Sequence, residues 1–217
     1  MIKWSFSGLK QFLNCPRQYH EVKVLRNFVV QETEQIRYGK EVHRALEDYV
    51  RDGKPLPKNY RRFKKVVDAL VKGKTEIDVE VEMALNFARE PCQFDSPEYW
   101  VRGIADLLMV EGDTAFVVDY KTGSAKYPDA KQLKLMALMT FAYKPQVQKV
   151  KGGLLFLLHD VFIPAEYHRK DIDALWASFD PDLFRLKQST ETDHWLPNPT
   201  PLCGWCPVNT CQFYKER

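Results

Sequence analysis

The 217-residue chain contains no apolar run near the roughly 18 residues that a membrane-spanning helix needs; the longest, residues 154–158, is strand-sized. It opens Met1-Ile2-Lys3-Trp4-Ser5 with no apolar signal segment, which sets the expectation of a cytoplasmic protein in a reducing compartment. Glycine is scarce, 10 residues against 13 prolines, and neither is periodic, so collagen-like and low-complexity chains are excluded. There is no internal repeat. Charge of one sign is not in excess either: 32 Lys and Arg against 29 Asp and Glu leave +3, too little to demand or forbid a polyanionic partner. A reducing compartment removes disulfides from the account of the five cysteines, which must then be thiols, ligands or core. What is present, 45% hydrophobic and 13% aromatic residues, supplies a core large enough to fold without covalent staples.

The pattern along the chain predicts helix, then a meander of strands, then helix, strand and helix. Ser5 and Ser7 offer N-cap oxygens ahead of Leu9, Phe12 and Leu13 at helical spacing. A second helix is expected from about residue 36, burying Val42, Ala45, Leu46, Tyr49 and Val50. Residues 60–72 read as a basic helix in which Arg61, Arg62, Lys64, Lys65 and Lys72 surround Phe63, Val66, Val67 and Leu70. That is either a solvated amphipathic face or a phosphate contact. Period-two alternation from Val79 to Phe87 marks a half-buried strand, followed by strands at residues 100–110 and 114–121 whose short connections imply an antiparallel meander. A helix at 129–143, an apolar strand at 153–158 and a helix at 169–179, stopped or kinked at Pro181, complete the pattern. The proline-rich 195–201 segment is irregular. The fold class is α/β, a central mixed sheet with an antiparallel meander flanked by helices.

One hairpin carries chemistry. With Gly112 and Asp113 in the turn, Glu111 faces Thr114, and counting back in step sets Asp106 directly opposite Asp119, with Cβ atoms about 5 Å apart. Like charges so placed repel, and a hard divalent ion such as Mg²⁺ between them relieves the repulsion. Lys121, two residues from Asp119, points to the same face, where its ammonium can orient a nucleophile or neutralise developing charge. The Tyr120 carbonyl lies near enough to serve as a further ligand, and the chemistry implied is phosphodiester hydrolysis. Lys126, Lys131 and Lys134, beside Tyr127, and Arg17 near the N-terminus are candidates for a DNA-backbone groove, or else ordinary solvated side chains. Cys203, Cys206 and Cys211 crowd into nine residues and read as metal ligands that need a fourth thiol to close a tetrahedral site.

These residues resemble the RecB-like branch of the PD-(D/E)XK nuclease superfamily. Gly103-x-x-Asp106, thirteen residues ahead of Asp119-Tyr120-Lys121-Thr122-Gly123, is similar to its G-x-x-D and D-x-K-T-G motifs. Gly39-x-x-x-His43 resembles its G-x-x-x-H helix, whose histidine binds metal. Glu82, ahead of Glu80, falls where the branch has a strand glutamate, and Gln132 matches Q-x-x-x-Y except that Met136 replaces the tyrosine. The resemblance implies a restriction-endonuclease-like core and one nuclease domain over residues 1–217: a helical part at 1–75, a catalytic core at 76–160 and a cysteine-rich tail at 195–217 packing with Cys15. It further implies Mg²⁺ or Mn²⁺ held by His43, Asp106, Asp119 and the Tyr120 carbonyl, with Lys121, Glu82 and Gln132 in catalytic roles. Cys15-Pro16 resembles the first cysteine of the iron-sulfur members, which makes Cys15, Cys203, Cys206 and Cys211 a [4Fe-4S] set, with Zn²⁺ the alternative. The last spacing here is shorter than that branch's own.

The implied function is a metal-dependent DNA exonuclease acting on single strands or duplex ends, in a bacterial, archaeal or phage-infected cell. Protein partners in CRISPR adaptation or recombination and a homo-oligomer are implied with it. A non-catalytic iron-sulfur DNA-binding scaffold and a structure-specific endonuclease are the alternatives. Cys92 stands outside these motifs.

Overall fold

A computed structural model describes residues 2–126 and 128–215. They fall into two compact units, residues 1–32 with 176–217 and residues 33–175. In chain order the elements are β1 (Trp4–Ser5), α1 (Phe6–Asn14), α2 (Pro16–Tyr19), a π-turn (His20–Val24), α3 (Glu34–Asp52), a 3₁₀ turn (Lys58–Phe63), α4 (Lys64–Val71), β2 (Glu76–Leu85), β3 (Pro91–Cys92), β4 (Val101–Glu111), β5 (Thr114–Lys121), α5 (Lys131–Tyr143), β6 (Lys149–Phe156), β7 (Val161–His168), α6 (Ile172–Ala177) and α7 (Asp180–Thr192), with a 3₁₀ turn at Pro201–Trp205 near the end.

The larger unit is a mixed sheet in the order β3-β2-β4-β5-β6-β7. Its pairs are antiparallel except β5 with β6, the two strands that α5 connects. The β4–β5 hairpin has the register that the turn dictates, from Glu111↔Thr114 to Leu107↔Val118. One face packs beneath α3, whose Val42 and Leu46 join Tyr60, Phe63, Val67, Leu107, Met109, Val118 and Tyr120 in a cluster. Helix α3 begins where the Thr33 side chain accepts the Ile36 amide and ends at Gly53, whose left-handed φ of +66° suits a residue without Cβ. Against the other face lies α5, buried on nearly all sides, with no polar stripe of its own. Leu133 of α5 packs with Leu154 and Phe156.

Two elements depart from the sequence reading. β7 was not foreseen because Pro164 interrupts its run and half of its residues are exposed. As the edge strand it can carry a proline without losing an interior hydrogen bond. Pro181 does not end a helix; it sits in the first turn of α7, where a missing N–H costs nothing. In the smaller unit Ser5 caps α1 by accepting the Gly8 amide at 3.2 Å, and Phe12, Tyr19, His20 and Trp195 form an aromatic cluster.

Candidate active site

Asp106 stands where two strand ladders break. β2 and β4 hold one register from Glu76↔Val110 to Leu85↔Val101, and the single skipped position is Glu80 opposite Asp106. The β4–β5 ladder stops at Leu107↔Val118, one step short of Asp106 and Asp119. Glu80 has φ +51°, a left-handed conformation that costs a non-glycine residue on the order of 1–3 kcal/mol. Side-chain alternation inverts at this point. Leu107 and Met109 join the cluster under α3, whereas Gly103, of the same parity, turns toward Met136 and Met139 of α5, and a Cβ there would meet Met136 Cε at 2.5 Å. Asp106 is thereby reached from both sides: His43 Nδ1 of α3 lies 3.2 Å from Oδ1, and the Tyr120 amide donates to Oδ2 at 2.6 Å.

Asp119, 4% exposed, is clamped in turn. Its Oδ2 faces the Lys121 ammonium at 2.6 Å, while the Gln132 side-chain amide donates to Oδ1 and accepts from Lys121 Nζ at 2.8 Å. Gln132 thus ties the first turn of α5 to both charged groups on β5. His43, Glu80 and Asp106 offer ligand atoms within 4.8 Å of one another, the only such trio of His, Cys, Asp or Glu among the described residues. An imidazole with two carboxylates is a hard, nitrogen-and-oxygen donor set that suits a divalent cation.

The electrostatics agree. Burial and the neighbouring Asp106 charge push Glu80 up to about 7, and the same two causes raise Asp119. Burial alone would lower His43, but its hydrogen bond to Asp106 and the charges of Asp106, Asp119 and Glu80 outweigh this and raise it. A carboxyl raised above its unfolded value of about 4 binds more protons folded than unfolded, so stability falls as pH climbs toward the folded value. Raised His43 acts in the same sense. Melting of the metal-free protein should therefore fall between about pH 4 and 7, and Glu80→Gln should flatten that fall; parallel curves for the two proteins would contradict this origin. Divalent cations compete with the same protons, so their affinity rises across this range.

The remaining expected residues are placed as follows. Glu82 is exposed and paired with Ile104, and the glutamate beside His43 is Glu80; the twist at Glu80, invisible to strand periodicity, decides between them. The Tyr120 ring packs under α3, edge-on to His43, and its buried hydroxyl has no partner among the described residues. Lys126 is exposed in the loop after β5, Lys131 and Lys134 lie half-buried in the first turns of α5, and Tyr127 lies outside the described residues. Arg17 belongs to the smaller unit, where its guanidinium is 2.8 Å from buried Glu21, so its charge is already engaged. Of the expected basic helix, Arg62 donates to the Tyr38 hydroxyl and Lys64 pairs with Asp68.

Within the smaller unit Cys15, Cys203, Cys206 and Cys211 line one small cavity. Three of them accept N–H···S hydrogen bonds: Cys206 from the Gln18 side chain at 3.5 Å, Cys15 from the Asn198 amide at 3.4 Å and Cys203 from the Thr200 amide at 3.3 Å. Cys92 lies in β3 of the larger unit.

The family model of the PD-(D/E)XK nuclease superfamily matches residues 3–211. The crystal structure of a Eubacterium rectale protein named "Putative exonuclease" covers 99% of this chain and 88% of its own at 11% identity, with a TM-score of 0.54, a likeness of fold. The crystal structure of SSO0001 covers the same shares, 99% and 88%, at 14% identity with a TM-score of 0.44. No curated protein matches the sequence significantly. With a family model spanning nearly its whole length and a mixed sheet that gathers His43, Asp106, Asp119 and Lys121, the chain belongs to the PD-(D/E)XK nuclease superfamily.

Proposed function

We propose that the protein is a divalent-metal-dependent DNA exonuclease of RecB-like type, acting at single-stranded or duplex ends. The observation that carries this reading is the convergence of His43, Glu80 and Asp106 within 4.8 Å, beside an Asp119–Lys121 pair. His43, Glu80, Asp106 and Asp119, with the Tyr120 carbonyl, would hold Mg²⁺ or Mn²⁺. When bound, the cation supplies charge neutralisation at the phosphate and a more acidic water. Asp106 orients His43 and is itself fixed by the Tyr120 amide. Lys121 positions the attacking water and faces the phosphate oxygens, and Gln132 holds Lys121 in register with Asp119. Met136, buried under Gly103, replaces the branch's tyrosine, so a substrate contact from that position is absent from this reading.

The four cysteines form the second part of the proposal. The shared cavity and the N–H···S donors suit a thiolate-bound group. Four thiolates suit either a [4Fe-4S] cluster or tetrahedral zinc, and the resemblance of Cys15-Pro16 to the iron-sulfur members favours the cluster. Because the family model spans both units, we take them as parts of one nuclease domain.

The activity is tested with Mn²⁺ on linear and covalently closed DNA of one sequence. An exonuclease degrades the linear form and leaves the circle intact. Cutting of the circle would replace this reading with an endonuclease, and no degradation of either with a scaffold.

A further inference from the structure

Three clefts lie along α3; one, of about 680 Å³, holds Lys40 and Arg44 with Asp48 and Tyr60, and the other two border the candidate site. Of these two, one, of about 370 Å³, is lined by Gly39, Lys40, His43, Arg44, Glu47 and Glu80, and so opens on the candidate metal ligands. The other, of about 890 Å³, contains Arg37, Gly39, Thr122 and Gly123, the last two directly following Lys121. They meet at Gly39, where the helix passes so close to the strand end that an added Cβ would come within 3.1 Å of Thr122 Oγ1.

Arg37, Lys40 and Arg44 lie along one stripe of α3. At 100° per residue, steps of three and seven bring them within about a sixth of the helix circumference. All three are exposed. Three of the acids nearby are already engaged: Glu41 accepts the Tyr60 hydroxyl, Glu47 pairs with Arg51, and Asp48 pairs with Lys54. Every other arginine described in this unit has a partner. Arg51 meets Glu47 and the Val79 carbonyl, Arg61 the Leu56 carbonyl, Arg62 the Tyr38 hydroxyl, Arg102 Asp95, Arg169 three carbonyls, and Arg89 is likewise engaged. Among the described residues Arg37 and Arg44 have none. Two guanidinium groups kept exposed and unpaired, one in each cleft on either side of the catalytic groups, form a built-in anion track.

We infer that Arg37 and Arg44, aided by Lys40, bind the phosphate backbone of the substrate strand on the two sides of the scissile bond. The inference rests on the nuclease reading above and adds residues to it that no motif contains. Arg37 and Arg44 are seven residues apart, about 10 Å along the helix axis, far enough to reach different phosphates of one strand. The strand would thus run along α3, over the seam where Gly39 meets Thr122. Arg37 and Arg44 are positioning residues: they act on the non-reacting phosphates, so they govern affinity and register more than the chemical step.

The test is binding of a short fluorescein-labelled single-stranded oligodeoxynucleotide by the full chain in Ca²⁺, over a series of salt concentrations. Arg37→Ala and Arg44→Ala should each reduce the slope of log K against log salt by about 0.7 and weaken binding about 5-fold at about 0.1 M salt. The double variant should show both losses, and Arg37→Lys and Arg44→Lys should restore most of the slope. Arg185→Ala, an exposed charge on the smaller unit, measures the effect of net charge alone. Slopes for Arg37→Ala and Arg44→Ala equal to that of Arg185→Ala would overturn the inference while leaving the nuclease reading intact. Failure of the parent chain to bind DNA at all would overturn both. Circular dichroism of each variant confirms that it is folded.

Discussion

Asp119→Ala is expected to lower metal-dependent degradation of linear DNA by about 10³-fold or more, the equivalent of roughly 4 kcal/mol of transition-state stabilisation. Asp119 is the point at which the account converges: one oxygen faces Lys121, the other takes the Gln132 amide, and the carboxyl is raised by burial and by Asp106. Removing it leaves Lys121 without its ion pair and Gln132 with one of its two partners. The same environment disfavours the ionised carboxylate in the folded chain, so Asp119→Asn should melt at or above the parent when no metal is present at neutral pH. Loss of activity with retained stability separates a site residue from a core residue. Equal residual activity in Asp119→Ala and the parent would reduce the acids to ornament and favour the scaffold reading.

Cys203→Ser should have the largest effect on folding. If the four cysteines hold a cluster, each thiolate links its part of the chain to a group that binds only the folded state. Loss of a ligand then costs about 4 kcal/mol or more, as for any ligand held at 1,000 times its dissociation constant. The variant should lose the visible absorption and iron of the parent and melt well below it. Cys92→Ser, whose thiol lies in the other unit, should keep both. A colourless parent containing one zinc per chain would refute the cluster, and a parent with neither metal would refute the ligand set.

How far the sequence alone reaches can be seen in particular residues. The β4–β5 register as far as Leu107↔Val118 followed from a two-residue turn and a period of two, because antiparallel register propagates from the turn; that the ladder stops one step before Asp106 and Asp119 did not. Cys203, Cys206 and Cys211 stood out by their spacing, whereas His43, Gln132 and Cys15 were legible only through resemblance, since nothing in helical spacing marks a histidine as a ligand. The choice between Glu80 and Glu82 was not legible. It turns on one residue adopting φ +51° where the strand changes face, and a glutamate carries no propensity signal for that conformation. β7 was hidden for a related reason: an edge strand with one half-exposed face and a proline lacks the alternation by which interior strands are recognised. Arg37 and Arg44 were passed over because exposed basic residues on a helix look alike in sequence. Their lack of partners becomes visible only once the hydrogen bonds and ion pairs around α3 are in place.

The central claim, that His43, Glu80, Asp106 and Asp119 share one cation, is tested most directly by calorimetric titration of the folded, metal-free protein with Mn²⁺ near neutral pH. The account predicts a saturable site in the parent that is lost in Asp106→Asn, weakened at least about 10-fold in Glu80→Gln and unchanged in Glu82→Gln. Binding by Asp106→Asn with the affinity of the parent would contradict it.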